Sequence, residues 1–236
     1  IAKNLKQGVM SAPLHLAPAR VSGFNTCAQA SKGCIAACLH TAGNPLYLQA
    51  KVKARIARTR AYFNAREAFM AVLAFEIEAL ALKADKAGMQ AGVRLNATSD
   101  IPWERVPLTV NGKPVKNLMS AFPNVEFWDY TKITKRALQW AAGLLPNNYH
   151  ITFSKSESND SDVEKVIKAG GNVAAVFDRL PESYLGAPVI NGDEYDFRPL
   201  DPKGVIVGLK AKGEAKQDST GFVIKTIDAP ARINAM

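Results

Sequence analysis

A chain of 236 residues, 47% hydrophobic and 22% charged, suits one large or two small soluble domains and can bury a sizeable core. It has no run of 18 or more apolar residues that would make a membrane-spanning helix, and residues 1–10 carry lysines without the apolar stretch of a secretory leader. The net charge of +9 is lopsided: ten Lys or Arg and no Asp or Glu fall within residues 1–66, leaving twenty basic against twenty-one acidic residues elsewhere.

The elements follow in chain order. A strand is predicted over residues 19–25, ending at the first cysteine. A helical region is predicted over 45–86, opened by Pro45, interrupted where Asn64 and Glu67 make a capping-box pattern, and closed by Gly88. Val93, Leu95 and Ala97 alternate as a strand that delivers Ser99 and Asp100. Strands over 125–130, 149–153, 173–177 and 205–210 follow, with helices over 134–145 and 160–169 between them. Short apolar strands joined by helices require a mainly parallel sheet. The expectation is a single α/β domain over 1–236, built as an incomplete (βα) barrel of about six parallel strands, with an open doubly wound sheet as the alternative. Polar residues gather just after the strands, where such sheets build their sites: Asp100, Asp129, Lys132, Ser154, Lys155, Glu157 and Asp178.

Cys27, Cys34 and Cys38, separated by six and three residues, are the only cysteines and lie within twelve positions of each other. Their odd number argues against a disulfide framework and for a reducing cytoplasm. Small neighbours leave room for a metal centre. Three thiolates can hold a [4Fe–4S] cluster with one open iron, or zinc with His40 as a fourth ligand; unligated thiols are the third possibility. Asp100 and Asp129 are expected on neighbouring strands as paired carboxylates, with capping as the plain alternative. Trp103 and Trp128 are candidates to stack on a base, though aromatics beside strands are more often core. Lys132, Ser154 and Lys155 are candidates for holding a carboxylate or phosphate, and Arg55, Arg58 and Arg60 for an anionic substrate. In NGDEYDFR the acidic group of Asp193 and Asp196 is a candidate to hold a divalent cation, the simpler reading being a loop anchored by pairing Asp196 with Arg198, and His15 and His150 read as structural. No G-x-S-x-G elbow, P-loop or zincin helix is present.

The stretches NTCAQASKGCIAACLHTAGN at 25–44, ARIARTRAYF at 54–63, VRLNATSDIPWE at 93–104, FPNVEFWDYTK at 122–132, NYHITFSKSESN at 148–159, NVAAVF at 172–177, VINGDEYDFRPLD at 189–201 and VGLKAKG at 207–213 together resemble the phage gene product 88 family. The resemblance implies a phage or prophage origin and a role inside an infected bacterium; it implies no reaction. The placing of the cysteines after a first strand is also similar to radical S-adenosylmethionine enzymes, although the spacing departs from theirs. Three functions follow as expectations. The first is a metal- or iron–sulfur-dependent enzyme acting on nucleic acid, a nucleotide or a nucleoside-containing cofactor such as S-adenosylmethionine. The second is a DNA base-exchange or glycosyl-transfer enzyme using the paired aspartates. The third is a non-enzymatic nucleic-acid-binding or host-takeover protein.

Overall fold

The computed structural model describes residues 1–38 and 49–226. Its elements in chain order are α1 (Ala2–Leu5), β1 (Val9–Pro13), α2 (Lys32–Ala36), α3 (Gln49–Asn64), α4 (Arg66–Lys86), β2 (Gln90–Arg94), β3 (Leu108–Val110), β4 (Lys113–Val115), α5 (Leu118–Ala121), β5 (Glu126–Thr131), α6 (Thr134–Ala141), β6 (Tyr149–Ser154), α7 (Asp160–Lys168), β7 (Asn172–Phe177), β8 (Ser183–Tyr184), β9 (Ala187–Asn191), β10 (Ile206–Lys210) and β11 (Val223–Ile224). The fold is mixed α/β with a mostly parallel central sheet and no closed barrel. Its order is β1-β2-β5-β6-β7-β10-β9-β8, with β11 also on β7; among the described residues only β8 runs antiparallel to its neighbour in this sheet, and β3 and β4 form a separate hairpin.

Side chains alternate along each strand, and the two faces have different covers. Phe127, Ile151, Phe153, Val173, Ala175 and Ile206 point to the main core, which α4, α6 and α7 close. Their neighbours Trp128, Ala174 and Val207 point the other way, where Phe197 and the 3-10 turn at Arg198–Leu200 lie across the sheet. α3, α4, α6 and α7 fall within the predicted helical regions, although α6 ends at Ala141 and not at 145, and α1, α2 and α5 were not expected. α6 and α7 are short and strongly amphipathic, and α7 places Asp160 and Asp162 in its first turn and Lys165 and Lys168 in its last. The interruption near Asn64 falls at Ala65, which caps α4 without a side-chain hydrogen bond, so the capping box does not form. The start predicted at Pro45 lies outside the described residues.

The predicted strand over 19–25 is not there. Ala19 takes φ +46° and Gly23 φ +95°, which breaks an extended run, and the first strand is instead Val9–Pro13. Residues 14–26 form a loop tied down by side chains. The Thr26 hydroxyl donates to the Ala17 carbonyl at 2.7 Å, the Thr98 hydroxyl to Leu16 at 2.6 Å, Arg58 to His15 at 2.9 Å and Arg60 to Ser22 at 3.3 Å. The strands β3, β4, β8, β9 and β11 were not predicted from the sequence either. One of them shapes the C-terminal rim. β10 pairs along β7 from Val173 to Phe177, so β6 and β11 must share its other edge: β6 takes Asn172–Ala174 and β11 takes Val176–Phe177. At the C-terminal rim β11 therefore replaces β6, and carries the residues before it over the end of the sheet.

Candidate functional site

At that rim lies a cavity of about 390 Å³, lined by residues from nine separate parts of the chain. Cys27, Cys34 and Cys38 form part of its wall; Asp100, Lys132 and Ser154 arrive from the ends of β2, β5 and β6. Arg94, Tyr130, Asp193, Asp196, Lys210 and Phe222 also line it.

The cysteine wall is held by one carboxylate. Ser31 caps α2, accepting from the Cys34 N–H at 3.2 Å, and its hydroxyl donates to Glu157 at 2.7 Å; Glu157 also accepts from the Gly33 N–H at 2.8 Å. Burial pushes the Glu157 carboxyl up, but the Ser31 and Gly33 donors and the nearby Lys132 outweigh it and hold it below its ordinary value. Gly33 is required by close approach: a Cβ there would meet Thr220 and stand 2.8 Å from the Phe222 Cβ. Burial raises the Cys27 thiol above its ordinary value, and its sulfur accepts the Ala19 N–H at 3.4 Å.

Three thiolates have the right softness for an iron–sulfur cluster or zinc. As placed, they do not make a ligand set. Among the described residues no three His, Cys, Asp or Glu side chains stand close enough together to hold a metal ion, and His40 lies outside the described residues.

The two aspartates part company. Asp100 reaches the rim, but its oxygens are engaged: one accepts from the Thr131 hydroxyl at 2.7 Å and Arg136 at 2.9 Å, the other from the Lys132 N–H at 2.8 Å. Asp129 is fully buried on the opposite face of β5 from the cavity, and Tyr130 points into it instead. There Asp129 accepts from Asn96 N–H at 2.5 Å, Asn96 Nδ2 at 3.1 Å and the Tyr149 hydroxyl at 2.6 Å. Burial pushes its carboxyl up to about 7 against those donors. Asp129 lies deeper on its strand, bonded to Asn96 and Tyr149 in the core, while Asp100 stands on the loop past β2 at the rim, so the predicted carboxylate pair facing one pocket does not form.

Other sequence candidates are placed as follows. Trp103 is fully buried, its Nε1 donating to Asn96 Oδ1 at 3.0 Å; Trp128 is fully buried against Phe197, ring centroids 5.2 Å apart. Neither ring has a face free to stack on a base. Lys155 is buried and turned to Asp160 at 2.6 Å and the Ser156 carbonyl at 2.9 Å, away from the cavity. Arg58 and Arg60 bind loop carbonyls as described, and Arg55 is buried beside them on α3. Asp196 pairs with Arg94 at 3.0 Å and Arg198 with Asp201 at 3.2 Å, so the expected Asp196–Arg198 pair is not made.

The charges at the cavity do not cancel. Arg94 is spent on Asp196 while its guanidinium lies 4.5 Å above the Tyr130 ring, and Lys212 is spent on Asp193. Lys132 is different: its ammonium donates to the Ser154 hydroxyl at 2.7 Å and lies 5.4 Å from the centre of the Phe222 ring. Lys210 also lines the cavity without a carboxylate partner among the described residues. Arg94, Tyr130 and Phe222 were not singled out in the sequence. Arg94 stands one strand residue from Val93 on the opposite face, so alternation marks it as a charged group inside the sheet.

A family model described as Gene product 88 matches residues 2–226. The chain belongs to the Gene product 88 family. This bears out the resemblance to the phage family of that name. No curated protein and no solved structure matches the chain, and a likeness to radical S-adenosylmethionine enzymes is not shown. Among the described residues no helix of this Gene product 88 protein is long and apolar enough to cross a membrane.

Proposed function

We propose that this Gene product 88 protein is a phage enzyme that binds an anionic, nucleotide-type ligand in the cavity at the C-terminal rim of its sheet, in the cytoplasm of the infected host. The observation that carries the reading is the pairing of Lys132 with Ser154, beside the three cysteines, in a cavity with more cationic than acidic groups. The ammonium is hydrogen-bonded to a hydroxyl, with Glu157 near it but not in an ion pair with it, which leaves positive charge for an incoming anion. The Phe222 ring beside it offers an apolar surface to a base or sugar, and Tyr130, its hydroxyl pushed up to about 12 by burial, remains a proton donor.

We also infer that the sheet is an incomplete (βα) barrel. β1, β2, β5, β6 and β7 neighbour one another in sequence order, as barrel winding demands, and Asn4 accepts from the Asp196 N–H at 2.9 Å, drawing the first segment toward the loop after β9. The order departs from that pattern where β10 inserts between β7 and β9.

An iron–sulfur cluster, with or without S-adenosylmethionine, or a zinc ion on Cys27, Cys34 and Cys38 is a separate proposal, and no step of the present reading runs through it. Base exchange by paired aspartates is less well supported, because Asp129 faces away from Asp100's rim. Nucleic-acid binding through the N-terminal third is less well supported too, since Arg58 and Arg60 are engaged with loop carbonyls.

Calorimetric titration with a nucleoside triphosphate, the matching nucleoside and inorganic phosphate tests the reading. Triphosphate should bind, nucleoside alone more weakly, and Lys132→Ala should weaken triphosphate binding roughly tenfold, the loss of one charge-assisted contact. No binding, or binding indifferent to Lys132, would sink it. Iron, sulfide and zinc analysis of anaerobically prepared protein decides the metal proposal independently.

A further inference from the structure

α4 buries Met70, Leu73, Ala74, Ile77 and Ala84 against the sheet, as a surface helix should. Such a helix ordinarily shows water a polar back. α4 instead carries a second apolar stripe on the opposite face: Ala68, Val72, Phe75, Ala79 and Leu82 are all exposed. Phe75 is 70% exposed and Val72 and Leu82 each 59%. Among the described residues the other exposed large apolar side chains, Leu5, Val21, Ile35, Leu144 and Leu200, stand singly on separate parts of the chain. The stripe's spacings are four, three, four and three residues. That is the repeat of a two-stranded coiled coil, with Val72 and Ala79 at one kind of core position and Phe75 and Leu82 at the other.

We propose that two copies of this chain associate through this face of α4, in parallel about a two-fold axis. The flanking charges choose a second copy as occupant and choose its direction. Glu78 precedes one core position and Lys83 follows the next. In a parallel pair the first of these reaches the second five residues along on the facing helix, so Glu78 of each copy meets Lys83 of the other, twice by symmetry. A fully overlapped antiparallel pair would set Glu76 against Glu76 and Glu78 against Glu78. The stripe spans roughly 21 Å of helix. A free helix of that length is marginal, but α4 is already ordered by its packing on the sheet, so association meets little further ordering cost.

Sedimentation equilibrium on the full chain tests this. The protein should have the mass of a dimer at micromolar concentration. Phe75→Glu and Leu82→Glu should each weaken association roughly tenfold or more, with the circular dichroism spectrum unchanged because both side chains are exposed, and with a melting temperature that no longer rises with protein concentration as the wild type's should. Glu78→Lys and Lys83→Glu should each weaken the dimer, and the double exchange should restore it. A monomeric wild type, or a dimer indifferent to Phe75→Glu and Leu82→Glu, overturns the proposal. Failure of the double exchange to restore association overturns the parallel arrangement.

Discussion

Asn96 is the residue on which the rim loop depends, and its removal should be costly. It sits just past β2, and its side chain makes five buried hydrogen bonds. Oδ1 accepts from the Ser99 hydroxyl at 2.8 Å, Ile101 N–H at 2.9 Å and Trp103 Nε1 at 3.0 Å; Nδ2 donates to the Ile101 carbonyl at 2.9 Å and Asp129 at 3.1 Å. The turn so fixed carries Asp100 to the cavity. Asn96→Ala leaves those partners without their bond, each worth about 1 kcal/mol net. With some re-solvation of the gap the loss should be about 3–5 kcal/mol, and the melting temperature should fall by roughly 10 °C for a chain of this size. Urea unfolding followed by tryptophan fluorescence reads it directly, since Trp103 reports on the bond itself. Asn96→Asp is the sharper variant. It keeps the acceptor for three donors but sets a second carboxylate beside Asp129, whose own carboxyl is already pushed up to about 7 by burial. Acids raised in the folded state stabilise it at low pH and lose that effect as pH rises, so Asn96→Asp should be distinctly more stable at pH about 5 than about 8. A loss under about 1 kcal/mol for Asn96→Ala, or a flat pH response for Asn96→Asp, would refute the reasoning.

Arg136, 1% exposed, answers two carboxylates, Glu104 at 2.8 Å and Asp100 at 2.9 Å. Arg136→Met strands both and should cost about 3–5 kcal/mol in urea unfolding, with Glu104→Gln in the same chain recovering part of it. Burial first, then Arg198 and Lys203, holds His150 down to about 3 from 6.5. A base lowered in this way stabilises the fold above pH 6.5 and loses the effect as pH falls toward 3, opposing Asp129 between about 4 and 6.5. His150→Gln should therefore shift the slope of unfolding free energy against pH by up to about 1.4 kcal/mol per unit in that window, and identical slopes would contradict a neutral buried imidazole. Gly33→Ala should push α2 off the Glu157–Phe222 clamp, so Cys34 should react faster with a thiol reagent than in the wild type; an unchanged rate would show that the wall tolerates the extra carbon.

The central strands were legible because VEFWDY, YHITF, VAAVF and VIVGLK are apolar runs of strand length, which local chemistry rarely makes anything else. The predicted strand over 19–25 failed because its conformation is set by distant groups: Arg60 donates to the Ser22 carbonyl within it, and just before it Thr59 accepts from the Ala17 N–H and Thr98 donates to the Leu16 carbonyl, from more than forty and eighty residues away. No local pattern encodes that. β1 was missed because VMSAP, with Ser and a terminal Pro, is a weak strand until β2 pairs with it from Val9 to Pro13.

By itself the sequence determined the chemistry available: three close-set cysteines, polar residues at strand ends, and the parallel α/β class that puts those ends on one rim. Which of them share a cavity was decided by tertiary structure. A one-residue step along β5 sends Asp129 to the core and Tyr130 to the cavity, and only knowing which face the helices cover tells the two apart. The same holds for Lys132, facing Ser154 because β5 and β6 are neighbours, while Lys155, also just past a strand, turns to Asp160.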